Sequence, residues 1–201
     1  RGLLCIEATM TSRPITLALN GFGRIGRTIL RILAAAGNDD LEIVLIRGNV
    51  DTRLGRVASG EMDATLLAAA GLDRLGRDDG HAIPTDVMLP APAQGAVGVE
   101  VLAGSAAGEI VTAIDHHDTS ACVLTERALL ARLGADCHSP VAALASLAGE
   151  TLTLRAELIA EDGACDVAGS IEGTVDDDLG TALAEDLLAR APASVRRLFS
   201  A

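Results

Sequence analysis

Apolar positions recur every three to four residues from Cys122 to Leu133. Val123, Leu124, Ala128, Leu129 and Leu133 form one stripe, and Glu126, Arg127 and Arg132 face away from it. That spacing predicts an amphipathic helix, and Gly134 supplies its C′ stop. A polar turn, Ala135-Asp136-Cys137-His138, follows, and Ser139-Pro140 opens an extended segment. One cysteine is therefore expected on a tight loop between a helix end and a strand.

The rest of the chain reads as alternating strands and helices. Residues 1–9 read as a disordered leader, and the first domain starts at Met10. Residues 14–46 give strand, glycine turn, helix, strand, ending in Leu41–Ile46. Thr52–Ala58 is helical with Asn49 or Asp51 as its cap. A strand Ala64–Ala68 and a short helix to Leu75 follow. Asp78–Gln94 is a polar, proline-bearing connection, Ala96–Val101 a strand and Ala106–Ile114 a helix, with Asp118 or Thr119 capping the next one. Strands at Val141–Ser146, Thr151–Glu157 and Asp166–Glu172, then a helix Asp176–Arg190 opening on three aspartates, make a small α/β unit. The fold class is α/β and multidomain. Its units are 10–88, a crossing strand with helices over 89–132, and 133–201.

Composition narrows the chemistry. The chain has 201 residues, 49% of them hydrophobic but only 1% aromatic, so the core must be aliphatic. All 16 basic residues are arginine, which excludes lysine Schiff-base chemistry. A net charge of −12 argues against nucleic-acid partners. Four scattered cysteines suit a reduced, cytoplasmic compartment. No apolar run is long enough to cross a membrane.

Three constellations stand out. Gly21, Gly23 and Gly26 form GxGxxG between a predicted strand and helix, where a phosphate could approach a helix N-terminus. The acidic residue a dinucleotide ribose needs is absent after Ile46, where Arg47-Gly48-Asn49 stands instead. Asp115-His116-His117-Asp118 offers metal-ligand types, but adjacent histidines on a helix point apart, and no metal is expected there. Cys137 on its turn reads either as a small half-buried residue or as a thiol presented for chemistry.

Longer segments carry a resemblance. Glu126–Ala143, E-R-A-L-L-A-R-L-G-A-D-C-H-S-P-V-A-A, resembles the cofactor-attachment segment of the porphobilinogen deaminases (hydroxymethylbilane synthases). Arg47–Arg53, R-G-N-V-D-T-R, with the L-G-R-V-A-S-G-E-M-D-A-T-L-L-A-A-A-G-L-D-R-L-G after it, and Leu89–Val101 agree with the same family. The match runs from Arg47 to the C-terminus. A shorter stretch, N-G-F-G-R-I-G-R within residues 14–46, resembles the first βαβ unit of glyceraldehyde-3-phosphate dehydrogenase. The chain thus reads as a chimera joined near residue 46, with a second-domain-like α/β unit, a small C-terminal domain, and the first domain largely missing.

The deaminase resemblance implies a monomeric transferase that condenses porphobilinogen into a linear tetrapyrrole and releases ammonia. Cys137 matches the position that carries a dipyrromethane cofactor through a thioether. Arg47, Arg53 and Arg74 match positions that bind carboxylates, a task suited to planar, always-charged arginine. Arg24 and Arg27 stand where the family has an arginine pair. Arg56 and Arg77 read as ordinary solvated arginines. The family's catalytic aspartate lies in the first domain, so no residue here matches it. Two other readings stay open: an NAD(P)-dependent dehydrogenase-like fragment, and a non-catalytic fusion product.

Overall fold

The computed structural model describes residues 3–7, 15–19, 41–161 and 163–199. The N-terminal part is a five-stranded sheet with strands in the order β3-β2-β4-β1-β5. These strands are β1 (Leu3–Glu7), β2 (Ile15–Leu19), β3 (Leu41–Leu45), β4 (Ala64–Ala68) and β5 (His81–Ala82). β2 runs parallel to β3 on one side and to β4 on the other. Helix α1 (Val50–Ala58) crosses between β3 and β4, and α2 (Ala69–Arg74) follows β4. Ile46, Val57 and Met62 make one buried cluster beneath α1, and Leu54, Leu67 and Leu72 another.

One expectation falls here. Residues 3–7, read as a disordered leader, are β1, paired antiparallel with β4 from Leu3↔Ala68 to Glu7↔Ala64 and with β5 on its other edge. A short apolar run has this alternative to disorder whenever a sheet edge is open to it.

The C-terminal part is an antiparallel sheet of β6 (Val141–Ala148), β7 (Thr151–Ile159) and β8 (Asp166–Gly173), in that order. Helices α4 (His117–Arg132) and α5 (Leu179–Arg190) pack against it, with the single turn α6 (Ala193–Arg196) closing the end. Leu152, Leu154, Ala156 and Leu158 of β7 are fully buried, two residues apart, as a strand with one face on the core requires. Aliphatic side chains and Phe199 fill this core. Gly180 lets α5 touch α4. A Cβ there would lie 2.6 Å from the Ala128 Cβ, the Leu129 nitrogen and the Thr125 carbonyl oxygen.

The expected strand Ala96–Val101 is absent. The segment is irregular, and Val97 and Val99 are 82% and 54% exposed. Its alternating pattern is that of a strand, but among the described residues no neighbour pairs with it. Helix α3 (Ala106–Thr112) likewise buries none of its residues.

Candidate functional site

The cysteine loop is built by its neighbours. Leu133 caps α4 and Gly134 takes φ 59°, the left-handed conformation glycine adopts freely. The Gly134 N–H donates to the Ala131 carbonyl and the Ala135 N–H to that of Leu130, the paired bonds of a Schellman stop. Asp136 then closes a ring. Its Oδ1 accepts the N–H of His138 at 2.8 Å, the N–H of Ser139 at 3.0 Å and the Ser139 hydroxyl at 3.1 Å. The Ser139 Oγ accepts the Asp136 N–H at 2.9 Å. These bonds, the His138 amide foremost, hold the Asp136 carboxyl below its ordinary range. Cys137 sits on this ring, exposed to solvent. The half-buried alternative is thereby excluded for Cys137, whereas Cys122 and Cys165 are both partly buried.

The arginine loop is equally determined. Gly48 has φ 121°, and a Cβ on it would meet the Thr52 side chain at 2.9 Å. Asn49 caps α1 by accepting the Thr52 N–H at 2.9 Å. The Arg53 guanidinium turns back and donates from Nε and Nη2 to the Gly48 carbonyl. Arg53 therefore holds the loop, and no partner for its Nη1 occurs among the described residues. Arg47 follows β3 at the carboxyl edge of the sheet, exposed and without a hydrogen-bond or ion-pair partner among the described residues. This edge is where the chain order reverses about β2, the place where open α/β sheets take ligands. Arg74 ends α2, also exposed and unpaired among the described residues.

Arg77 and Arg56 are not simply solvated. Arg77 bridges Asp51 and Asp79, each at 2.6 Å, and so fastens the connection after α2 to the start of α1. Arg56 pairs with Glu61 at 3.4 Å. Gly21, Gly23, Gly26, Arg24 and Arg27 lie outside the described residues. No hydrogen bond or ion pair among the described residues links the Cys137 loop to Arg47, Arg53 or Arg74. The cysteine and the arginines stand on separate sheets.

Helix α4 departs from its expected faces. Leu124 is 63% exposed, while Glu126 is 5% exposed. The Glu126 carboxylate accepts the Ala93 N–H at 2.5 Å and the Ala145 N–H at 2.8 Å. Burial raises its pKa, and the two amides oppose that shift. Ala93 stands at φ 59°, a conformation that costs a non-glycine residue about 1–2 kcal/mol. Periodicity gives the buried stripe, but only a tertiary contact can put a carboxylate in it. The cap differs too: His116, not Asp118 or Thr119, closes the helix start, its Nδ1 accepting the Thr119 N–H at 3.3 Å. Capping is a structural role for His116, and His117 lies beside Asp118 at 3.5 Å. No group of three metal-ligating side chains occurs among the described residues.

Two family models match the chain, one on each side of residues 110–119. Residues 24–109, with Arg47, Arg53 and Arg74, match "Porphobilinogen deaminase, dipyromethane cofactor binding domain". Residues 120–189, with Cys137, match "Porphobilinogen deaminase, C-terminal domain". The chain belongs to the porphobilinogen deaminase family. Its sequence is 54% identical to the porphobilinogen deaminase of Sphingopyxis alaskensis over 164 residues, 80% of this chain and 52% of that protein. It is 42% identical to that of Geobacter sulfurreducens over 202 residues, 94% of this chain and 64% of the relative. The chain thus spans between about half and two thirds of the length of these relatives.

The dehydrogenase resemblance gains no support. The deaminase model begins at residue 24 and takes in the stretch to 46, and the Geobacter alignment covers 94% of the chain. Glycine-rich strand-to-helix turns serve many α/β folds, so GxGxxG without its acidic partner did not separate the two families. The proposed join near residue 46 falls inside a single deaminase domain match.

Proposed function

We propose that this chain is a hydroxymethylbilane synthase-type transferase, carrying a dipyrromethane primer on Cys137 and acting on porphobilinogen in the cytoplasm. The observation that carries this is the exposed thiol of Cys137 on the Asp136–Ser139 ring, within a porphobilinogen deaminase C-terminal domain match. A pyrrole bearing acetate and propionate groups needs cations that stay charged, and Arg47 and Arg74 are exposed and unpaired among the described residues.

The residues fit the cofactor. Cys137 would hold it by a thioether, which resists the hydrolysis that would remove an ester or imine. Arg47, Arg74 and Arg53 would bind its carboxylates, and the Gly48–Arg53 bonds keep that loop set before binding. When bound, dipyrromethane supplies the pyrrole end to which substrate units add. Asp136 orients the loop through the His138 and Ser139 backbone amides.

The test is Ehrlich's aldehyde reagent on purified protein after incubation with porphobilinogen. Colour that stays with the protein through denaturing gel filtration supports the reading, and a colourless protein overturns it.

A further inference from the structure

We propose that Glu126 is a positioning residue that locks the Ala91–Gly95 turn, strand β6 and helix α4 into one frame and so sets the presentation of the Cys137 loop. The carboxylate is buried and spends its two oxygens on two different segments, Oε2 on the Ala93 amide and Oε1 on the Ala145 amide. Neither segment is its sequence neighbour. Beside this contact the Ala143 N–H donates to the Pro90 carbonyl at 3.0 Å, and Arg155 Nη2 donates to that of Thr85 at 3.0 Å. The connection leaving the arginine-bearing sheet is thus laid along the C-terminal unit, and Glu126 fastens its far end.

Two further features assign this to positioning rather than ordinary core stability. Glu126 lies on the edge of the β6 sheet, where its oxygen takes up an N–H that no strand covers. It also holds a turn containing Ala93 in the left-handed region, a geometry that needs an external hold to persist. Helix α4 then runs directly into Gly134 and the Asp136–Ser139 ring. Loosening α4 on the β6 edge displaces that ring. What this does to primer loading rests on the deaminase reading, but the coupling itself can be measured without substrate.

The experiment compares the whole chain with E126Q. Glutamine keeps the volume but aims an NH₂ at one of the two amides. Two readouts are taken: amide exchange by mass spectrometry over the 91–95 and 143–147 segments, and the ratio of iodoacetamide alkylation at Cys137 to that at Cys165. Loss of a charge-assisted bond corresponds to on the order of ten- to a hundredfold faster exchange at those segments. The alkylation ratio should change about threefold or more, whereas general destabilisation would move both thiols together. A second variant, A93P, removes the donor and cannot adopt φ 59°, yet lies outside the core. It should reproduce both effects even if E126Q folds poorly. Unchanged exchange at 91–95, or an unchanged alkylation ratio in both variants, overturns the proposal. A wild-type chain that never loads a pyrrole would refute the deaminase reading and leave these two readouts standing on their own.

Discussion

The guanidinium of Arg53 reaches back to the carbonyl of Gly48, 2.6 Å from Nη2 and 2.9 Å from Nε. This bond makes Arg53 part of the loop's architecture and sets it apart from Arg47 six positions earlier, which has no partner among the described residues. R53K loses the forked donor geometry and should cost about 1 kcal/mol by urea unfolding. R47A should change stability by less than about 0.5 kcal/mol, as exposed surface substitutions do. It should nevertheless weaken binding of a pyrrole dicarboxylate measured by calorimetry. Equal stability losses in the two variants would contradict this division of labour.

At Gly180 the prediction is steric. A methyl group would meet α4 backbone at 2.6 Å, so neither rotamer change nor side-chain movement relieves it. G180A should therefore destabilise by about 1–3 kcal/mol despite alanine's better helix propensity. The check is the urea midpoint, with unchanged m-value.

Two carboxylates predict opposite responses to pH. The pKa of Asp136 is depressed, chiefly by the His138 amide, so its contribution is full above the unfolded pKa near about 3.9 and is lost as pH falls through the lower folded value. The pKa of Glu126 is raised by burial, so its contribution is full below the unfolded pKa near about 4.3 and is lost as pH rises through the higher folded value. Urea midpoints measured against pH should show a shallower acid loss in D136A. In E126Q the decline above about pH 4.3 should vanish. The reverse pattern would refute both assignments.

Much of this was legible in the pattern of residues. The apolar alternation of β7, the stop at Gly134 and a cap at Asn49 or Asp51 follow from local chemistry; the structure keeps the stop, takes Asn49 as the cap and carries β7 two residues further, to Ile159. Cys137 was reached through its motif, and its exposure through the ring around it. What was not legible depended on partners distant in sequence. Glu126 looks like a surface residue until Ala93 and Ala145 are brought to it. Leu3–Glu7 looks like a leader until β4 offers an edge. Conversely, Ala96–Val101 has a strand's pattern and no strand beside it. Local pattern states what a segment can become, and pairing decides it.

Turnover by the isolated 201-residue chain is expected to fail. The carboxylates near the arginine loop are already engaged, Asp51 with Arg77 and Glu61 with Arg56. Val97, Val99 and Leu102 are exposed in the connection and cover no site among the described residues. Lack of a positioned proton-transfer group costs on the order of 10²–10⁴ in rate. Ammonia release with porphobilinogen should stop at or before the two equivalents that assembly of the two-pyrrole primer itself frees. Sustained multiple turnover would contradict this expectation and would mean that another carboxylate, Asp51 and Glu61 being candidates, takes the acid–base role.

Cys137 is proposed to carry the primer. Intact-mass spectrometry with peptide mapping, after incubation with porphobilinogen or preassembled primer, tests it most directly. One adduct of two pyrrole units is expected on Cys137 and none in C137S. A wild-type chain that stays unmodified, an adduct on Cys122 or Cys165, or one that persists in C137S would contradict it.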